Sequence, residues 1–199
     1  MKPEHFNYLA HETPYQDLAE VRRLASIAPS TPNGKVIVEV GSWVGLSAWS
    51  ILQEPTVDRL FCVDHWEGSP DGDQLGDRLG QQGYSPEHVF RVFCSNHHRD
   101  LWKRCIPLTG TSELMASVWN LPASMIYLDG DHEKLARDIA LWMPHVVAGG
   151  ILAGHDFNVF DSVNRDVDQL ARTLQVHVEG HVWSTRIFQP SQVLKWRAK

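Results

Sequence analysis

The sequence predicts an α/β fold built on a parallel sheet, and three observations carry that expectation. Short β-branched runs alternate with longer segments of helical spacing, the pattern of βαβ units. The first such run, Val36-Ile37-Val38-Glu39-Val40, ends in a glycine turn that leads directly into a helical segment. The 199 residues, 43% of them hydrophobic, supply a sizeable core for one domain without disulfides or structural metal.

In chain order, Gln16 to Ile27 places Leu18, Val21, Leu24 and Ile27 on one side and predicts a helix within an N-terminal extension over residues 1–34. The main domain then spans 35–199. Val36 to Val40 reads as the first strand, and Ser42 offers an N-cap for a helix over Gly45 to Leu52. Arg59 to Asp64, Ile106 to Leu108, Met125 to Asp129 and Gly150 to Ala153 read as strands two to five. Between the last two, Leu135, Ile139 and Trp142 give the segment Glu133 to Met143 an apolar stripe, and Val163, Val167, Leu170 and Leu174 repeat it after the fifth strand. Gln175 to Val178 and His181 to Phe188 alternate as a closing pair of strands. Residues 65–90 form a lid-like insertion. Its stretch from Glu67 to Pro86 has glycine at 68, 72, 76, 80 and 83 and little apolar content, and a lid and an insertion without a role both remain open for it.

Composition removes several classes of function. Eighteen Lys and Arg against 24 Asp and Glu, a net charge of −6, argue against a broad basic surface for nucleic acid or anionic lipid. No apolar run reaches the roughly 18 to 20 residues of a membrane span, and the first 30 residues lack the order of a signal peptide, so a cytoplasmic protein is expected. Cys62, Cys94 and Cys105, odd in number and widely spaced, suit buried thiols in a reducing compartment. Trp49, Trp102, Trp119, Trp142, Trp183 and Trp196 read as core or interface material, and His97-His98 as a solvated pair.

Three places carry chemistry. The turn Gly41-Ser42-Trp43-Val44-Gly45 after Glu39 leaves backbone amides bare at the carboxyl edge of the sheet, where open α/β folds bind ligands. A dinucleotide fingerprint would have glycine at position 43. Trp43 stands there instead and leaves room for a cofactor without phosphate, such as S-adenosylmethionine, against the alternative of a merely structural turn. Asp64 ends the second strand about 20 residues on, where an acid can accept hydrogen bonds from both hydroxyls of a ribose. Its competing reading is a helix N-cap or loop ion pair. Gly110, Thr111 and Ser112 after the third strand offer small size and hydroxyls to an adenine ring, and Trp66, directly after His65, is a candidate wall for it.

The third place is Asp129-Gly130-Asp131-His132 with Gly154-His155-Asp156. Adjacent parallel strands bring these clusters to one edge, and like charges packed there call for a compensating cation or ligand. Mg²⁺ is the simplest such cation. The alternative is helix-capping acids beside satisfied core histidines.

The segments VIVEVGSWVGLSA, FCVDHW, IYLDGDH, LWMPHVVAGGILAGHDF and VNRDVDQL, in this order, resemble the class I S-adenosylmethionine-dependent methyltransferases, and within them the macrocin-type sugar O-methyltransferases and cephalosporin hydroxylase-like proteins. The resemblance covers roughly residues 35 to 185. It implies a Rossmann-like fold, a seven-stranded mostly parallel sheet with helices on both faces. It also implies that Glu39 and the turn Gly41 to Gly45 lie against the methionine part of the cofactor, that Asp64 binds ribose, that Asp129 and Asp156 are metal ligands and that His132 is the general base. Position 155, a glutamate in the best described metal-dependent members, is His155 here, the expected third ligand.

The expected reaction is transfer of a methyl group from S-adenosylmethionine to a hydroxyl of a small molecule, a sugar or glycosylated natural product, with Mg²⁺ on Asp129, His155 and Asp156. Homodimerisation stays open. Two other classes compete: an inactive S-adenosylmethionine-binding regulatory subunit, separated by whether S-adenosylhomocysteine is released, and a metal-dependent hydrolase, which would need neither Asp64 nor the glycine turn.

Overall fold

The computed structural model describes residues 6–9, 15–68, 83–97 and 101–188. Most of the glycine-rich stretch that carries the lid expectation, together with His98 and Trp196, lies outside these residues. The described elements are α1 (Tyr15–Ile27), β1 (Val36–Val40), α2 (Leu46–Leu52), β2 (Arg59–Asp64), α3 (Pro86–Asn96), β3 (Cys105–Thr109), α4 (Ser112–Val118), β4 (Ala123–Leu128), α5 (Leu135–Trp142), β5 (Val146–Gly154), α6 (Asp161–Ala171), β6 (Val176–Glu179) and β7 (Val182–Ile187).

The seven strands form one sheet in the order β3-β2-β1-β4-β5-β7-β6, parallel except where β7 runs antiparallel to β5 and β6. Strand order reverses between β1 and β4, so a crevice opens beyond their carboxyl ends. Side chains alternate between two cores. Ile37, Leu60, Cys62, Met125, Tyr127, Ile151 and Ala153 pack on one face with α1, α2 and α3. Val36, Val38, Phe61, Val63, Ile126, Leu128 and Leu152 face α5 and α6 on the other. By this alternation Glu39 falls on the first face, a carboxyl among apolar neighbours and fully buried.

The extension before residue 35 is stitched to the rest. Leu18, Val21, Leu24 and Ala25 join the first core, and Ser50 Oγ of α2 donates to Leu18 O at 2.7 Å. Buried Lys35 donates through Nζ to Ala25 O and Ser26 O, at 3.1 and 2.7 Å, so a cation meets the carbonyl end of α1.

Several local readings are corrected. The helix α2 has Gly45, not Ser42, at its N-cap position, and no side chain caps it. The segment from His132 begins with a three-residue 3₁₀ turn, His132–Lys134, before α5. Two helices escaped the sequence reading: α3, capped by Ser85 with proline in its first turn, and the short α4. His97 is no solvated loop residue: it is buried, its Nδ1 lies 2.7 Å from Phe93 O, and its ring packs on Phe93. Cys62 and Cys105 are buried free thiols, Cys94 is half-buried, and Trp142 and Trp183 are fully buried core residues. Among the described residues no helix is long and apolar enough to cross a membrane.

Candidate functional site

A cavity of about 410 Å³ opens at the carboxyl edge of β1, β2 and β4, within the range of small-molecule sites. The turn after β1 forms its floor. Gly41, Trp43 and Gly45 all have positive φ, at 87°, 47° and 85°. A Cβ on Gly41 would run into the backbone carbonyl of Asp129, and one on Gly45 into the His97 ring. Glycine is therefore required at both, because the first turn must lie flat against the β4 turn and the second against α3.

Asp64 locks this floor. Its Oδ2 accepts from the Trp43 amide at 2.7 Å and its Oδ1 from the Trp66 amide at 2.6 Å. Among the described residues it caps no helix and forms no ion pair, but is a carboxylate joining two loops while still facing the cavity. Burial raises its pKa, against the lowering effect of these two amides. Glu39 beneath the floor is pushed by burial up to about 7, although the hydroxyls of Ser42 and Ser47 work the other way. Neither Glu39 oxygen nor Ser42 Oγ makes a well-formed hydrogen bond. The amides of Gly41, Trp43 and Gly45 are not bare, as the sequence suggests, but donate to Val63 O, Asp64 Oδ2 and Ser42 O. The buried acceptors under this turn fit a ligand that brings a cationic or hydroxyl group, as the amino-acid end of S-adenosylmethionine would.

On the far side, Gly110, Thr111 and Ser112 line the cavity as expected. Their hydroxyls have structural partners too. Thr111 caps α4 by accepting from the Leu114 amide, and Ser112 Oγ donates to Asp138 Oδ1 at 2.6 Å while accepting from Trp142 Nε1 at 2.8 Å. Asp138 itself lines the cavity, and its carboxyl is raised by burial to about 6, against the lowering effect of Ser112. The sequence reading missed it. Its signal was an acid lying beside Leu135, Ile139 and Trp142 on the buried face of a helix. His65 lines the cavity, and its Nδ1 accepts from the Glu67 amide.

Three expected cofactor residues do not line the cavity. Glu39 lies below it and Gly45 behind it. Trp66 is no adenine wall: it is 1% exposed, stacks against Phe90 and Phe93 of α3, and donates through Nε1 to Trp43 O. Its ring is core material that holds the Trp43 turn from beneath.

The acidic cluster gathers at the ends of β4 and β5. His132 Nε2 lies 2.7 Å from Asp156 Oδ2, and the His132 ring stacks on Phe160 at 3.9 Å between centroids. His155 Nδ1 is 2.9 Å from Asp156 Oδ1 and 3.7 Å from Asp129 Oδ1. Its Nε2 is 3.3 Å from Asp17 Oδ2, contributed by α1. Burial alone would lower the pKa of His155, but Asp129, Asp156 and Asp17 overcome it and push the ring up to about 10. Burial likewise opposes ionisation of Asp156, yet the two imidazoles hold its carboxyl well below the usual range. Asp131 is the capping acid: it accepts from the Glu133 amide and pairs with Lys134. Asp156 has φ of 62°, an uncommon conformation for a non-glycine residue.

Asp129, His132 and Asp156 can each bring one ligand atom within 4.8 Å of the others. His155, the expected third ligand, is not in that group. Mg²⁺ favours oxygen donors in near-octahedral array, whereas one donor here is an imidazole and both oxygens of Asp156 already meet imidazole nitrogens. The set does not suit Mg²⁺.

The family described as "Methyltransferase domain" matches residues 38–157, from β1 through the His155-Asp156 turn. Among solved structures, the O-methyltransferase NovP is similar at 19% identity and a TM-score of 0.66, covering 87% of this chain and 80% of that one. Cofactor-bound Rv0187 from MTB is similar at 13% identity and 0.64, with 89% and 82% covered. An O-methyltransferase from Bacillus cereus in complex with SAH gives 12% and 0.59, with 89% and 84% covered.

Proposed function

The chain belongs to the methyltransferase-domain family, and from that premise we propose that it transfers a methyl group from S-adenosylmethionine to a hydroxyl of a small molecule, with a sugar or glycosylated natural product as the acceptor class. The observation that carries this is the one cavity lined together by the glycine turn, Asp64 and the His132–Asp156 pair. The donor supplies an electrophilic methyl carbon when bound, so the protein's work is alignment and removal of a proton. Asp64 and the Gly41 turn hold the nucleoside and amino-acid parts. Gly110, Thr111 and Asp138 border the base. Alignment of the hydroxyl oxygen at roughly 3 to 3.5 Å from the methyl carbon supplies the proximity contribution.

His132 accepts the proton that the acceptor hydroxyl loses as the carbon–oxygen bond replaces the carbon–sulfur bond. Asp156 orients the ring and favours the imidazolium that forms. Phe160 stacks on the ring and fixes its plane. The test is incubation with S-adenosylmethionine and a panel of hydroxyl compounds, reading S-adenosylhomocysteine release and methylated product. His132→Ala is expected to lower turnover by about 10² to 10⁴ with S-adenosylhomocysteine affinity unchanged. Unchanged turnover in that variant would remove His132 from the reaction, and a failure to release S-adenosylhomocysteine with any acceptor, despite binding, would favour a regulatory subunit.

A further inference from the structure

We infer that Asp138 reads the base of the methyl donor, accepting a hydrogen bond from the exocyclic amino group of adenine, so that the site separates adenine nucleosides from those with an oxo group in its place. The inference rests on the methyl-donor reading of the cavity and adds to it the residue that sets base identity. Asp138 lies on α5 and lines the cavity, yet it is only 4% exposed. Its Oδ1 accepts from Ser112 Oγ at 2.6 Å, and that hydroxyl in turn accepts from Trp142 Nε1 at 2.8 Å. Among the described residues its Oδ2 has no hydrogen-bond partner, and it is not sealed from solvent, so the cavity is where it finds one. A nearly buried acid held by one oxygen, with the other open to a ligand site, calls for a donor from that ligand.

Position along the sheet edge matches the base to this carboxyl. The strands run β3-β2-β1, with the Gly41 turn after β1, Asp64 at the end of β2 and Ser112 beyond β3. A nucleoside whose amino-acid part lies on the turn and whose ribose meets Asp64 carries its base on toward Ser112, and hence toward Asp138. Other polar side chains that line this end are engaged: Thr111 Oγ1 accepts from the Leu114 amide, Glu113 pairs with Arg137 at 2.9 Å, and Lys134 pairs with Asp131. Burial raises the Asp138 carboxyl to about 6, so at pH 8 it is ionised and only accepts. Adenine meets it with an N–H. Hypoxanthine meets it with an oxo group, acceptor against acceptor, and a buried polar group left unpaired is the circumstance in which a site discriminates most strongly. Ser112, backed by Trp142, holds the carboxyl, which cannot turn to the ring N–H beside that oxo group without giving up its own hydrogen bond.

The test is calorimetric titration of the whole protein at pH 8 with S-adenosylhomocysteine and with S-inosylhomocysteine, its counterpart carrying hypoxanthine. The parent is expected to bind the adenine compound roughly 10- to 10²-fold more tightly. The variant Asp138→Asn keeps the shape of the side chain and an oxygen for Ser112, so its melting temperature is expected to stay near the parent's. Its amide Nδ2 takes the place of Oδ2 and donates, so S-adenosylhomocysteine should bind about tenfold more weakly and the preference should close or reverse toward the inosine compound. The ratio of the two affinities within one protein cancels any general loosening of the fold. Equal affinity of the parent for the two compounds would overturn the proposal without recourse to a variant, and so would a folded Asp138→Asn protein that keeps the parental ratio. Either result, with S-adenosylhomocysteine still bound, leaves the methyl-donor reading standing. Binding of neither compound would overturn that reading and this proposal with it.

Discussion

The turn after β1 and the cluster at the ends of β4 and β5 share one sheet edge, yet different forces hold them. Backbone conformation shapes the turn: three positive φ angles, two glycines with no room for a Cβ, and one carboxylate receiving two amides. Charge shapes the cluster, in which Asp17, Asp129 and Asp156 surround His155 while His132 leans on Asp156 from the other side. A steric site tolerates changes of charge poorly only where they change shape. An electrostatic one tolerates changes of shape until a counter-charge is lost. The two regions should therefore respond to different substitutions, the turn through binding and stability, the cluster through turnover.

The largest effect on the steric side is expected from Gly41→Ala. The new Cβ meets the backbone of Asp129 in a left-handed conformation, so neither side can yield cheaply. Stability should fall by about 2 to 4 kcal/mol, with S-adenosylhomocysteine affinity reduced at least tenfold, as read by denaturant titration and calorimetry. This is the inverse of His132→Ala, which should spare both. A Gly41→Ala protein with parental affinity and stability would break the distinction between the regions.

A smaller effect sharpens it. The pKa of Glu39 is raised on folding, from an unfolded value of about 4.3 to about 7, burial being the cause. A carboxyl raised in this way binds more protons when folded, so its ionisation destabilises the fold progressively as pH climbs through that interval. Glu39→Gln should consequently change little at pH 4 and stabilise the ligand-free protein at pH 8, by an amount on the order of 3 kcal/mol. Melting curves at the two pH values check this. A stabilisation that does not grow with pH would mean that Glu39 is satisfied when charged.

Legibility of the molecule in its sequence follows the same division. The glycine turn, Asp64 and the order of the five central strands could be read because each is fixed by residues close in the chain: a β-branched run, then glycine, then a helical period. The helix α3 was open to the same reading, since Val89, Val92, Phe93 and Asn96 recur at helical spacing, but the neighbouring glycines drew it into the insertion. Trp66 was misplaced because aromatic identity does not say which face of a loop a ring takes. Three packed phenyl and indole rings decided it. Asp17 could not be found locally at all. Nothing around it in α1 marks it as more than a first-turn acid, a common stabiliser of helix N-termini, and its meaning comes from a histidine 138 residues further along the chain. Long-range charge partners are what a single sequence conceals most effectively.

The central claim is that a sulfur-bearing nucleoside occupies the crevice beyond β1, β2 and β4. Calorimetric titration of the folded protein with S-adenosylhomocysteine tests it most directly. Saturable binding of one molecule per chain is the expected result, and the absence of both heat and any rise in melting temperature across the accessible concentration range would contradict it.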